Sequence, residues 1–160
     1  MNTAFLFPGQ GAQKVGMGQD LLEASDAAGR IFDLAEQATG MELRKLCFEG
    51  PEEELSRTDV AQPAIFTVSA ATLAVIDEKL PEQKRSDMAP AYTAGLSLGE
   101  YTALYAADVL DFTEMVKLVA KRGELMQNAA TAKPSGMVSV MGLDEAKATE
   151  LCNAAAEGQV

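Results

Sequence analysis

A serine stands between two glycines in the run Gly95-Leu96-Ser97-Leu98-Gly99. Gly-x-Ser-x-Gly between a strand and a helix is the nucleophile-elbow pattern, in which a strained turn pushes the serine oxygen outward while the glycines let strand and helix approach each other. The short apolar run at residues 91–94 predicts the strand, and the apolar residues after it predict the helix. Two interpretations follow: Ser97 is a nucleophile, or it caps the helix N-terminus.

A serine nucleophile needs hydrogen-bond donors for the oxyanion that it generates. The backbone N–H of Leu98, directly after the serine, is the first candidate. A second donor must come from another strand-end loop. The glycine-rich loop at residues 9–13 follows the apolar run Ala4-Phe5-Leu6-Phe7, so the N–H of Gln10 is the second candidate. The alternative for this loop is a plain strand-to-helix turn.

An arginine, Arg122, occupies a position on an apolar helical stripe. The stripe is predicted at helical spacing and consists of Met115, Leu118, Val119, Leu125, Met126 and Ala129. A guanidinium there reaches water at the helix margin, or pairs with an internal carboxylate, or binds a ligand carboxylate, because an unpaired buried charge is strongly destabilising. The spacing leaves these three interpretations open.

Positive charge is concentrated locally at Lys117, Lys121 and Arg122, with Lys133 further on. Lys117 and Lys121 share a helix face at i, i+4. They form either a solvated face or a small landing site for an anionic partner.

The composition excludes several classes of protein. The 160 residues include 13 Lys and Arg against 24 Asp and Glu, which gives a net charge of −11, and 48% hydrophobic residues, which is ordinary globular usage. No broad basic surface is available for nucleic acid. With no histidine and two distant cysteines, neither a metal site nor a disulfide framework is predicted, and a reducing cytoplasm is the expected setting.

The N-terminus lacks the features of a signal peptide. The uncharged stretch at residues 60–76 is predicted to be a buried helix rather than a membrane span.

Strands and helices alternate along the chain, which predicts the α/β class. Strands are predicted at residues 4–7, 91–94 and 137–142; helices at 25–39, 62–80, 98–107, 113–130 and 144–156, with a short acidic helix start at 50–54; a charged loop at 80–90; and a linker at 131–136.

Several motifs in order resemble the malonyl-CoA:acyl carrier protein transacylases of fatty-acid synthesis. They are Phe7-Pro8-Gly9-Gln10-Gly11-Ala12-Gln13, Gln62-Pro63-Ala64, the stretch from Ala94 to Leu104, Arg122-Gly123 and Ser135-Gly136-Met137. The resemblance implies a parallel-sheet α/β-hydrolase-like large subdomain, whose N-terminal part is residues 1–130. It also implies a linker at 131–136 and the start of a ferredoxin-like small subdomain at 137–160.

By this resemblance Ser97 takes malonyl from malonyl-CoA as an ester and passes it to the phosphopantetheine thiol of acyl carrier protein, without a cofactor of its own. Gln10 and Leu98 match the oxyanion hole, and Arg122 matches the arginine that binds the free carboxylate of malonyl.

Gln62 and Met126 match positions near the acyl pocket. Lys117 and Lys121 are the candidate contacts for acyl carrier protein, which together with malonyl-CoA is the expected partner. The expected location is the cytoplasm, with no membrane and no nucleic acid involved.

Two departures from the family pattern stand out. Leu96 precedes the serine where the family commonly has histidine, and the family's general-base histidine has no counterpart because the chain contains none. The family is also about twice as long, so the chain is expected to be an N-terminal piece that ends inside the small subdomain and is inactive alone. The alternatives are a serine esterase or thioesterase, or a non-catalytic module that binds acyl carrier protein or coenzyme A.

Overall fold

The computed structural model describes residues 3–133 and 140–156. The chain divides into two compact units, of which the first ends at Ala129 and the second begins at Ala130. The elements are β1 (Thr3–Phe7), α1 (Gln19–Ala24), α2 (Asp26–Thr39), α3 (Leu43–Glu49), α4 (Glu52–Leu55), α5 (Thr58–Lys79), α6 (Glu82–Met88), β2 (Pro90–Gly95), α7 (Leu98–Ala106), α8 (Phe112–Ala132) and α9 (Glu145–Ala155).

Among the described residues the sheet has two strands, β1 and β2, which pair in parallel with Phe5 opposite Thr93 and Phe7 opposite Gly95. The two strands agree with the predicted apolar runs to within one residue. Because parallel strands end at the same edge of a sheet, the loop after β1 and the serine turn after β2 emerge side by side. An α/β fold with a small parallel sheet is thereby confirmed.

Helix α5 forms the centre of the first unit. Its N-terminal half is buried on all sides, from Val60 through Ala71 with the exception of Val68 and Ser69, and it packs against α2 and α7. The Phe66 ring stacks on Phe112 with centroids 5.6 Å apart and meets the Tyr105 ring edge-on. By length and composition α5 could also cross a membrane, but 61% of its apolar window is buried inside the protein, as in a core helix.

Helix α2 has the predicted boundaries because both of its ends are capped. The Ser25 side chain accepts a hydrogen bond from the Ala27 N–H at 3.1 Å, and Gly40 closes the helix at a φ of 72°. Helix α9 likewise begins where predicted, with the Asp144 carboxylate accepting from the Lys147 N–H at 2.9 Å.

Three helices are absent from the sequence prediction. Helices α1 and α3 are short, and α6 lies within residues 80–90, where the prediction of a charged loop is wrong. Pro81 directly precedes α6, and the Glu, Gln, Lys and Arg residues that follow have high helix propensity, which outweighs the lack of an apolar face.

Part of the second unit lies outside the described residues, including most of the strand predicted at 137–142. The described residues of that segment, Val140, Met141 and Gly142, are not in a strand. Thr131 and Ala132, which the sequence assigns to a linker, belong to α8.

The buried face of α8 differs from the predicted apolar stripe. It consists of Phe112, Met115, Val116, Val119 and Gly123, whereas Leu118 and Leu125 are 45% and 56% exposed. The difference arises at Gly123, where a Cβ would lie 2.9 Å from the Thr58 carbonyl oxygen. The absence of a side chain there lets α8 contact the start of α5, and this contact selects the buried face.

Helix α7 approaches both strands too closely for side chains at two glycines. A Cβ on Gly95 would lie 2.1 Å from the Gly99 carbonyl carbon, and a Cβ on Gly99 would lie 2.4 Å from the Phe7 carbonyl oxygen. Both neighbours are backbone atoms, so neither can move aside without displacing a strand or a helix.

We expect Gly95→Ala to lower the free energy of unfolding by about 2 kcal/mol or more, because the added methyl overpacks this crossing. Chemical denaturation measures the change. Gly29→Ala is the matched control, since Gly29 is inside α2 with open space around it, and there the same substitution should raise stability by about 0.5–1 kcal/mol. Equal stability of wild type and Gly95→Ala would contradict the tight crossing.

Candidate functional site

Ser97 occupies the sharp turn between β2 and α7. Its backbone has φ 54° and ψ −104°, and a positive φ is uncommon for a residue with a side chain. The Glu100 carboxylate accepts a hydrogen bond from the Ser97 N–H at 3.3 Å and so supports the turn. The Ser97 side chain is exposed, as a nucleophile elbow requires.

The guanidinium of Arg122 faces Ser97. Its Nη2 donates to Ser97 Oγ at 2.8 Å, its Nη1 donates to Gln62 Oε1 at 2.5 Å, and its Cζ lies 5.3 Å from the centre of the Tyr101 ring. None of the ion pairs between described residues includes Arg122. Of the three interpretations left open by the sequence, the internal carboxylate is therefore not observed, and the half-buried side chain turns toward the serine rather than away from it.

Gln62 connects the arginine with two further predicted residues. It is fully buried in α5, and its Nε2 lies 3.4 Å from Gln10 Oε1 and 3.3 Å from Met126 Sδ. The structure thus brings five of the predicted site residues together, namely Ser97, Arg122, Gln62, Gln10 and Met126.

Helix α5 begins at Thr58, one turn before the predicted start, and this turn supports the site. Thr58 Oγ1 accepts from Gln10 Nε2 at 3.2 Å, and the Thr58 N–H donates to Gln127 Oε1 at 3.1 Å. Gly123 packs directly against the same turn. Because Gly123 follows Arg122 in sequence, this helix contact also fixes the position of the arginine backbone.

The loop after β1 touches the serine turn. A Cβ on Gly9 would lie 2.9 Å from the Leu96 carbonyl oxygen, so the backbone that carries Gln10 runs next to the backbone that carries Ser97. Leu98 is buried as the first residue of α7, whereas the Leu96 side chain is 80% exposed beside the serine.

Lys117 and Lys121 lie on the exposed side of α8, separate from these five residues. Lys121 Nζ pairs with both carboxylate oxygens of Glu124 at 2.9 Å. Lys117 lines a shallow cavity with Leu34, Gln37, Ala38 and Thr113.

Sequence reasoning missed Tyr101 and Thr58 as parts of the site. Tyr101 is four residues after Ser97, and residues at this spacing are neighbours on a helix. The spacing alone could therefore have identified Tyr101 as a member of the site. No sequence signal marks Thr58, because its role depends on where α5 begins.

The buried cysteine Cys47 does not compete with Ser97 as a nucleophile. Burial, assisted by the nearby Glu36 carboxylate, raises the pKa of the Cys47 thiol to about 12, so this thiol stays protonated and unreactive. Within residues 3–133 and 140–156, no cluster of three or more His, Cys, Asp or Glu side chains could hold a metal ion.

Comparison with protein families gives a match over residues 4–158 to the acyl transferase domain. The chain belongs to this family. Curated relatives of this acyl transferase domain include the malonyl CoA-acyl carrier protein transacylases of Bacillus subtilis, 48% identical over 88% of this chain and 42% of the relative, and of Escherichia coli K12, 43% identical over 98% of this chain and 49% of the relative.

Solved structures give the same result. One is a malonyl-transacylase solved in complex with the acyl-carrier protein of a type II polyketide synthase. The match covers 100% of the present chain and 50% of the transacylase chain, with 39% sequence identity and a TM-score of 0.84. Another is an acyl carrier protein S-malonyltransferase from Vibrio cholerae. It matches with a TM-score of 0.82 and 39% sequence identity, over 99% of the present chain and 50% of the malonyltransferase chain. The predicted resemblance is confirmed, and the chain spans about half the length of the relatives it matches.

The hydrogen bond between Gln62 and Arg122 can be measured by a double-mutant cycle. Gln62→Leu removes the buried acceptor of a charged donor, so we expect it to lower the free energy of unfolding by about 1–3 kcal/mol. In an Arg122→Met background the same substitution should lower the free energy of unfolding by about 1 kcal/mol less than it does in the wild type, because the donor is already absent. Urea denaturation of the four proteins measures the coupling, and additive effects would mean that the two side chains do not interact.

Proposed function

We propose that the protein carrying this chain transfers a malonyl group from malonyl-CoA to the phosphopantetheine thiol of acyl carrier protein. The single observation that supports this most is the 2.8 Å contact between Ser97 Oγ and the Arg122 guanidinium. This contact supports the proposal because a guanidinium beside an exposed serine could bind a carboxylate on the acyl group that the serine accepts. The names of the relatives described above, which are malonyl transacylases, agree with this chemistry.

The proposed reaction has two half-reactions through a serine ester. Ser97 Oγ attacks the thioester carbonyl of malonyl-CoA, the carbon–sulfur bond breaks, and coenzyme A leaves as its thiol with the serine proton. The carrier thiol then attacks the malonyl ester, a carbon–sulfur bond forms as the acyl carbon–Oγ bond breaks, and Ser97 Oγ regains a proton from the carrier thiol. Nothing is oxidised or reduced in either half-reaction.

The oxyanion formed in each step is proposed to accept hydrogen bonds from the backbone N–H groups of Leu98 and Gln10. The position of Leu98 in the first turn of α7, where the helix dipole is positive, supports the first donor. Contact between the Gly9 and Leu96 backbones supports the second, since it keeps the Gln10 loop beside the serine turn.

The malonyl carboxylate is proposed to bind Arg122 through two parallel hydrogen bonds, which a planar guanidinium provides and an ammonium does not. Binding would replace the bond from Arg122 to Ser97 Oγ and so free the hydroxyl to react. Gln62 would keep its bond to Nη1 and hold the guanidinium in place. Met126, in contact with Gln62, would border the acyl chain.

The reaction also needs a base for the Ser97 proton, because a serine hydroxyl is a weak nucleophile by itself. Arg122 donates to Ser97 Oγ and cannot fill this role. The 160 residues contain no histidine. We therefore propose that the base is supplied from outside these residues, and we expect this chain alone to be inactive.

The finer fold and the partner surface are part of the same proposal. The parallel sheet is assigned to an α/β-hydrolase-like large subdomain and α9 to a ferredoxin-like small subdomain, in a cytoplasmic enzyme that needs no cofactor. Exposed Lys117 and Lys121 are proposed to contact the acyl carrier protein. Malonyl transfer is favoured over ester hydrolysis because an esterase leaves Arg122 without a role.

Incubation of the full-length protein with malonyl-CoA tests the proposal directly. We expect the mass of one malonyl group on the peptide that contains Ser97, and no such mass in Ser97→Ala. An unmodified Ser97 peptide under conditions that leave the protein folded would contradict a malonyl-serine intermediate.

Arg122→Ala should abolish the preference for malonyl-CoA over acetyl-CoA. A site arranged around a carboxylate loses most of its discrimination when its charged partner is removed, so we expect kcat/KM for malonyl transfer to fall by about 10²-fold or more with little change for acetyl transfer. Arg85→Ala is the matched control, because Arg85 is exposed and pairs with Asp77. Unchanged selectivity in Arg122→Ala would refute the assigned role.

A further inference from the structure

Arg122 lacks a carboxylate partner among the described residues, although it is half-buried. Its Nη1 and Nη2 donate to the neutral oxygens of Gln62 and Ser97. Neutral acceptors compensate a buried cation less than a carboxylate does. A further group beside the guanidinium would therefore add to the stabilisation of the charge.

The Tyr101 ring provides that stabilisation. Arg122 Cζ lies 5.3 Å from the ring centroid, within the distance at which a guanidinium is attracted by the negative face of an aromatic ring. The ring itself is held in place, since Tyr101 packs against the hydrophobic core of the first unit. The partner of the guanidinium is thus rigid.

An aromatic face differs from a carboxylate in a way that matters for binding. A carboxylate would occupy the N–H edge of the guanidinium, which is the edge that a ligand carboxylate needs. A ring attracts the cation without accepting those hydrogen bonds, so the N–H groups stay available.

The position of the ring is tied to the position of the serine. Ser97 is the N-cap residue of α7 and Tyr101 follows one turn later, so both lie on the same side of one helix. The Arg122 guanidinium from α8 contacts both of these side chains.

We propose that Tyr101 is a positioning residue that determines carboxylate selectivity by holding the Arg122 guanidinium against its ring, next to Ser97. The selectivity part of this inference rests on the proposed malonyl transfer. The positioning part does not, because it concerns the side chain of Arg122 whatever the substrate.

The test compares Tyr101→Leu with Tyr101→Phe in the full-length protein. Tyr101→Leu removes the ring and should lower kcat/KM for malonyl-CoA by about fivefold to tenfold, mainly through KM, with acetyl transfer unchanged. Tyr101→Phe keeps the ring and should restore the wild-type ratio to within about twofold. Tyr105→Leu is the matched control, since Tyr105 lies one turn further along α7 and packs against Phe66 and Phe112 instead.

A second measurement is independent of activity. Phenylglyoxal modifies arginine side chains, and peptide mass spectrometry reports the rate at Arg122. We expect this rate to rise about fivefold in Tyr101→Leu and to stay at the wild-type value in Tyr101→Phe and Tyr105→Leu.

The outcomes separate the two proposals. If the wild-type protein does not transfer malonyl but Arg122 becomes more reactive in Tyr101→Leu, the proposed function fails and the positioning role stands. Equal Arg122 reactivity in wild type and Tyr101→Leu overturns the positioning role, as does a Tyr101→Phe variant with the same defect as Tyr101→Leu.

Discussion

A half-buried guanidinium held by neutral groups is the interaction on which this site depends. Arg122 donates to an amide oxygen of Gln62 and to the hydroxyl of Ser97, and it lies over the Tyr101 ring. This arrangement keeps a full positive charge next to an exposed hydroxyl without saturating its hydrogen-bond donors. An anionic group can then replace a neutral acceptor at Arg122, which exchanges a hydrogen bond to a neutral oxygen for a stronger one between opposite charges.

Close backbone packing makes this interaction possible. Gly123 lets α8 touch the first turn of α5, which brings Arg122 to Gln62, and Gly95 and Gly99 let β2, α7 and β1 converge, which sets the serine turn. The parallel pairing of β1 with β2 places the Gln10 loop beside that turn. Arg122, Gln62, Ser97 and Gln10 therefore come from four different segments, whose backbones are brought together by these close contacts.

Much of this could be predicted from local patterns. The strand, turn and helix around Ser97 follow from Gly-x-Ser-x-Gly in its context, and the capped helices α2 and α9 follow from Ser25, Gly40 and Asp144. The direction of the Arg122 side chain could not be predicted. Helical spacing shows which residues share one face of α8, but it does not show which other elements that face contacts. The buried face of α8 could not be predicted for the same reason, since Gly123 has no hydrophobic signal although its lack of a side chain lets α8 approach α5. Helix α6 was missed because it has no apolar face.

The central claim is that Arg122 recognises the far end of the acyl group that Ser97 carries. A crystal structure of the full-length protein after reaction with malonyl-CoA tests it most directly. The claim predicts an ester on Ser97 Oγ whose free carboxylate is hydrogen-bonded to the Arg122 guanidinium, with the Gln62 oxygen still bound to Nη1. An ester whose carboxylate points into solvent, with Arg122 turned away from it, would contradict the claim.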